Sequence, residues 1–192
     1  MTEQPKKSLT MQIIWQALPT LLGAAVLGVS AGLILELRAE IMGKFPGIFI
    51  PIPIFMALTG GIGSIVGSKF TTAHHLGVLN GMGGKIETYI GNSLIIIVTG
   101  ALISLLVGGL TILLASVFSL PLPGLNPYRT TLLLCFITGL ACTLLSVCAA
   151  ILVGQLAFRR GLDPDNLIMP LVSSFGDVFA ITVLLTTLQF VL

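Results

Sequence analysis

Five apolar runs occupy most of this chain, at about 11–36, 46–68, 88–118, 130–158 and 166–192, with short polar clusters between them. Each exceeds the ~20 residues that a helix needs to cross a bilayer. A backbone inside hydrocarbon has no water to bond, so runs of this length leave the α-helix as their structure. Composition agrees: the 192 residues are 55% hydrophobic and 8% charged, against about 25% charged in soluble domains. The expected fold is an all-α integral membrane protein with five transmembrane helices per protomer. A short tail over 1–10 and a single transmembrane domain over 11–192 complete the expected organisation, since the longest gap, about 69–87, is too short for a soluble domain. Lys6 and Lys7 precede an apolar run too long for a signal-peptide core. A net charge of +2 is too small to suggest a nucleic-acid partner; the lipid bilayer is the partner.

Proline and glycine mark the breaks. Pro121, Pro123, Gly124 and Pro127 close the third span. Asp163 or Asp165 is placed to cap the fifth, with Pro164 at its entrance. The second span is Pro/Gly-interrupted: Pro46, Pro51 and Pro53 crowd its start, and Gly60, Gly61, Gly63 and Gly67 run through its second half. Such a helix persists in a membrane where protein or water satisfies the loosened backbone. Cys135, Cys142 and Cys148 share one apolar block without C-x-x-C spacing and read as small core residues. Trp15, Tyr89 and Tyr128 fall near span ends, where aromatic belts sit.

The loops give an orientation. With the N-terminus inside, Lys6, Lys7, Lys69, Lys85, Arg159 and Arg160 are on the inner side, and Arg38, Lys44 and Arg129 on the outer. The inner excess favours a multi-pass cell-membrane protein with a cytoplasmic N-terminus and an outside C-terminus.

Acidic residues are few. Glu3, Glu36, Glu40, Glu87, Asp163 and Asp165 lie in tails, loops or span ends, within reach of water. Asp177 does not. It stands eleven residues beyond Asn166, about 16 Å along a helix, near the bilayer midplane. A central Asp costs about 2.5–3.5 kcal/mol on insertion scales, and no Lys, Arg or His lies at its depth to pair with it. Either it is protonated and donates a hydrogen bond in the core, or it faces a polar path and pairs with a mobile cation.

The neighbours favour the second reading. Ser173 and Ser174, four and three residues earlier, share its face. Thr59, Ser64 and Ser68 add hydroxyls on the second span, where the backbone of Gly60 and Gly61 could present carbonyl oxygens. An oxygen-only lining with a carboxylate suits a hard divalent cation. Glycines at this spacing serve plain helix packing equally well. One Asp per chain is little for a cation site, and a twofold homodimer would bring two copies to one axis. The His74–His75 pair at the inner end of the second span either helps a cation leave into the cytoplasm or is an ordinary surface pair.

Three segments resemble the membrane domain of the MgtE-type magnesium transporters, in the branch of archaeal proteins and eukaryotic solute carriers. The first is Pro46-Gly47-Ile48 to Pro53, leading into the glycine-rich Thr59–Ser68. The second, Gly67-Ser68-Lys69-Phe70-Thr71-Thr72-Ala73-His74-His75-Leu76-Gly77, is similar to a G-x-R-x-S-T-A-x-H-x-G pattern. The third is the most specific: Arg160-Gly161-Leu162-Asp163-Pro164-Asp165-Asn166, followed by Pro170, Ser173, Gly176 and Asp177, looks like the family's start of the last helix. The likeness runs from Leu18 to the C-terminus. It implies a homodimer with a cation pathway at the subunit interface, lined by spans two and five. Asp177 takes the place of the principal cation-binding carboxylate, Ser173 that of a lining residue one turn earlier, and Mg²⁺ is the transported ion rather than a cofactor. One position departs: Gly61 stands where the family commonly has Asn, so one side-chain oxygen is missing. Bacterial members carry cytoplasmic Mg²⁺-sensing domains, which the few residues before the first span cannot replace, so gating is expected within the membrane part or from a partner.

Two other classes compete. A substrate-binding membrane subunit, such as the vitamin-binding component of an energy-coupling-factor transporter, matches in size and hydrophobicity. It would need aromatic and polar groups converging on a pocket, whereas the three Trp and Tyr sit at span ends, so no small organic substrate is expected. An integral-membrane enzyme would need paired carboxylates, a histidine cluster or a nucleophile–base pair within the spans, and none is apparent.

Overall fold

The computed structural model describes residues 9–75, 85–160 and 164–191. Its elements run α1 (Leu9–Leu37), α2 (Ala39–Lys44), the 3₁₀ turn η1 (Pro46–Phe49), α3 (Pro51–His75), α4 (Lys85–Val117), α5 (Pro127–Arg159) and α6 (Pro164–Val191). Among the described residues, five stretches are long and apolar enough to cross a membrane: Ala17–Leu37, Pro46–Ala73, Leu94–Val117, Pro127–Arg159 and Leu167–Phe190. The expected five-span, all-α fold is the one observed.

The second span differs at both ends. Pro46 opens the short η1 turn, and the long helix starts at Pro51, where a fixed φ and a missing N–H suit a first turn. The interruption therefore falls at the η1–α3 junction, and α3 runs unbroken through Gly60, Gly61, Gly63 and Gly67. It also continues past Ser68 to His75, because Lys69, Phe70, Thr71, Thr72 and Ala73 include no helix breaker. Pro164 opens α6 as its spacing suggested; Asp163 and residues 76–84 lie outside the described residues. Between α4 and α5 the chain turns through Ser119 at φ 53° and Gly124 at φ 86°. Glycine takes that left-handed conformation without a Cβ penalty.

α5 and α6 form the centre. α6 packs on α1, α3 and α5, and α5 packs on α3, α4 and α6. α1 is peripheral and leaves Leu18, Leu22, Val26, Val29 and Leu33 exposed, which lipid solvates as well as protein would. Contacts between the inner helices rest on small and hydroxyl residues. Ser104, Thr111, Thr143 and Ser146 are buried and donate back to the carbonyls of Gly100, Val107, Gly139 and Cys142. Each such bond hides a polar atom and lets the α4 and α5 backbones approach closely. Cys135 and Cys142 are buried free thiols, as expected, whereas Cys148 is exposed: its place on α5 turns it out of the core. Trp15 and Tyr128 are exposed at span ends, as belt residues are, and the Tyr89 side chain lies outside the described residues.

At one end of the bundle, α2 and η1 fold over the other helices. Met42 and Ile48 join Ala31, Ile52, Phe55, Leu134, Ile181, Leu184 and Leu188 in one buried cluster. The Gly47 N–H donates to the Pro121 carbonyl at 3.3 Å and ties this cover to the α4–α5 turn.

Candidate cation pathway

The register of α3 against α6 can be read from glycines. A Cβ added to Gly67 would lie 2.7 Å from Ile168 Cγ2, one on Gly63 2.6 Å from Val172 Cγ1, and one on Gly60 2.9 Å from Ser173 Oγ. One on Gly176 would lie 2.6 Å from Thr59 Cβ and Oγ1. Rising numbers on α3 meet falling numbers on α6, so the helices are antiparallel, and glycines hold their backbones together. Thr59 and Gly60 thus reach the depth of Ser173 and Gly176, next to Asp177. These are residues the sequence singled out separately.

Their roles are not equal. Thr59 is fully buried against Gly176, and its hydroxyl donates to the Met56 carbonyl at 2.8 Å. Its side chain is packed into the seam, with its hydroxyl hydrogen turned to its own helix. Gly61 is turned about 100° from Gly60 and has open space where a Cβ would stand. It lines a cleft of ≈ 260 Å³ between α3 and α4, with Ala57, Leu58, Ile62, Ile65, Ile96, Thr99, Gly100 and Ile103. That cleft is apolar; Thr99 spends its hydroxyl on the Ile95 carbonyl. Within one protomer, then, Gly61 does not join Asp177. Ser173 and Ser174 do, half-buried on the same helix. His74 and His75 are the last residues of α3, and their side chains lie outside the described residues.

Asp177 is half-buried on α6. Its carboxylate makes no ion pair or hydrogen bond among the described residues, where the one salt bridge is the exposed Lys44–Glu40 pair at 3.1 Å. The hydroxyls beside it stand out. Most in the spans bond back to their own helix, as Ser30, Ser68, Thr99, Thr182 and Thr186 do. Ser64, Ser173 and Ser174 have no such bond among the described residues, nor do the buried Thr71, Thr131 and Thr138.

Asn166, Pro170, Ser173 and Asp177 follow i, i+4, i+7, i+11 spacing and share one face of α6. Pro170 lies inside α6 and has no N–H to add to its ladder. Beyond Asp177 the same face continues as Ile181, Leu184 and Leu188, all buried in the cluster that Met42 and Ile48 join. The stripe therefore bears oxygen from Asp177 toward the α6 N-terminus and is apolar and closed toward its C-terminus. Sequence reasoning missed this division, although the apolar repeat at 181, 184 and 188 carried the signal. Chemically, one carboxylate with free hydroxyls is an oxygen-only set. No group of three or more His, Cys, Asp or Glu able to cage a metal exists among the described residues, so an ion here would keep part of its water shell.

A family model described as a divalent cation transporter, MgtE, matches residues 52–187. The chain belongs to the MgtE family of divalent cation transporters. The MgtE match runs from the first turn of α3 to the last turns of α6 and contains both the glycine seam and Asp177. Among curated relatives, solute carrier family 41 member 2 of Gallus gallus is 25% identical over 189 residues, 95% of this chain and 32% of that protein. The Homo sapiens protein of the same name is 27% identical over 187 residues, 94% of this chain and 31% of that protein. The chain spans about a third of the length of these relatives. No solved structure matches it. Membership of MgtE sets the chain among transporters, not enzymes.

Proposed function

We propose that this chain moves a divalent cation, Mg²⁺, across the membrane along the oxygen-bearing stripe of α6, with Asp177 as the central carboxylate. The observation that carries this reading is a carboxylate deep in a membrane-spanning helix with no counter-charge among the described residues. Its counter-charge is the ion in transit. Mg²⁺ dehydrates reluctantly and keeps several waters, and the uncommitted hydroxyls of Ser173 and Ser174 would bond those waters. Gly60, with no side chain, lets the α3 backbone stand beside Ser173.

One carboxylate balances half of a divalent charge. A twofold homodimer with Asp177 of each protomer facing the axis supplies the rest, and α3 and α6 of both copies line the path. The inner excess of Lys and Arg orients the N-terminus to the cytoplasm, which turns the oxygen-bearing half of the stripe inward. Carrying two charges through 100 mV releases about 4.6 kcal/mol, enough for uptake without ATP or a coupled ion. The test is flux into liposomes containing the purified protein, a Mg²⁺-sensitive dye and a K⁺ diffusion potential. Mg²⁺ should enter at a rate that rises with the inside-negative potential, and the ions that enter should also raise the protein's melting temperature. Vesicles that exclude Mg²⁺, Ca²⁺ and Mn²⁺ under that potential overturn the proposal.

A further inference from the structure

The cleft that Gly61 opens stands apart from Asp177. It lies where α3 and α4 diverge, since each packs on α5 and they touch one another little. Its ≈ 260 Å³ is lined by Leu58, Gly61, Ile62 and Ile65 of α3 and by Ile96 and Ile103 of α4. A dry apolar cavity of about 150 Å³ holds a benzene ring, so this one has room for a stretch of hydrocarbon chain. Thr99, the polar side chain in the wall, spends its hydroxyl on the Ile95 carbonyl and asks for no water. Leu58, Ile62, Ile65 and Lys69 follow i, i+4, i+7, i+11 spacing and share one face of α3. Gly61 adjoins Gly60, which stands at the depth of Ser173 beside Asp177, near the bilayer midplane. Lys69 is eight residues further on, about 12 Å along the helix, against about 15 Å for half of the hydrocarbon core. The cleft and Lys69 together therefore cover the depth of one leaflet. Lys69 is exposed and makes no ion pair among the described residues, and its stem carries the ammonium to headgroup level.

We propose that the α3–α4 cleft binds one anionic phospholipid, with an acyl chain lying along Ile65 and Gly61 and the phosphate at the Lys69 ammonium. The site is independent of which ion passes Asp177. Gly61 provides the room: its Cβ position is open, so the chain reaches the α3 backbone. The apolar wall by itself takes the tail of any lipid. Lys69 adds the preference for a negative head, since a basic side chain near the membrane surface attracts anionic lipid. A second copy of this chain fits the cleft less well. About a twofold axis along the membrane normal it would bring its own Lys69 to the same depth, like charge facing like.

Native mass spectrometry of the full chain tests this, in detergent holding equal amounts of phosphatidylglycerol and phosphatidylcholine with identical tails. Wild type should retain phosphatidylglycerol over phosphatidylcholine by about fivefold, the effect of one Lys near a membrane surface. Gly61→Phe puts a ring in the cleft. Retained lipid should then fall at least about tenfold, for which the loss of about two buried methylenes suffices. The melting temperature should stay at or above that of wild type, because an apolar cavity is filled. Lys69→Gln removes a side chain without an ion-pair partner among the described residues, so the fold is kept. That variant should hold both lipids alike. Glycerol phosphate, a head without tails, should not compete. Equal retention of the two lipids by wild type, undiminished retention in Gly61→Phe, an unchanged preference in Lys69→Gln or competition by glycerol phosphate overturns the site. A dimer that Gly61→Phe splits into monomers also overturns it, since the cleft would then hold a second copy.

Discussion

Gly176→Val is expected to cost the protein most of its thermal stability and, with it, all transport. A Cβ at position 176 would lie 2.6 Å from both Cβ and Oγ1 of Thr59, which is itself fully buried and has nowhere to move. Overpacking of this kind costs about 1–3 kcal/mol for extra methylenes in a tight core. Valine adds two branched methyls beyond that Cβ, at the point where α3 and α6 stand closest. The seam must open, and it is the seam that sets Thr59, Gly60 and Ser173 at the depth of Asp177. Gly61→Ala provides the contrast: only one residue from Gly60, it has open space at its Cβ position and gains helix propensity of up to about 1 kcal/mol. Thermal unfolding in one detergent should show Gly176→Val melting far below wild type and Gly61→Ala at or above it. Equal melting temperatures would mean that the α3–α6 contact is not built as described.

That contrast also marks how far the sequence could be read. The five spans were legible because hydrocarbon permits one way to satisfy a lone backbone, and Asp177 stood out because no basic residue shares its depth. Ser173 and Ser174 were legible from helical spacing alone. Which glycine does what was not. Gly60 and Gly61 look equivalent in a run of small residues, yet one faces α6 and the other an apolar cleft against α4, and only the packing partner decides. The packing of Thr59 was hidden for the same reason: the sequence shows a hydroxyl on the second span, and only the structure buries it against Gly176 with its hydrogen on the Met56 carbonyl. The α2–η1 cover was hidden within Arg38–Phe49, a stretch without the length or periodicity of a span. Its fold depends on the long-range burial of Met42 and Ile48 in one cluster with residues of α1, α3, α5 and α6.

Asp177→Asn is the second large effect. At about 4 Å and an effective dielectric near 20, one unit charge attracts another by about 4 kcal/mol and a divalent ion by about twice that, so removing one per protomer should lower ion occupancy by at least about a thousandfold. The fold should not suffer, since Asp177 holds no partner among the described residues and its charge is costly in a membrane. The two effects can be separated in one preparation: potential-driven Mg²⁺ flux into liposomes, with the melting temperature measured with and without Mg²⁺. If the transported ion is the counter-charge of Asp177, the variant melts like wild type in ion-free buffer, loses the stabilisation that Mg²⁺ gives, and passes no Mg²⁺ above protein-free vesicles. Undiminished Mg²⁺ flux through Asp177→Asn would contradict it.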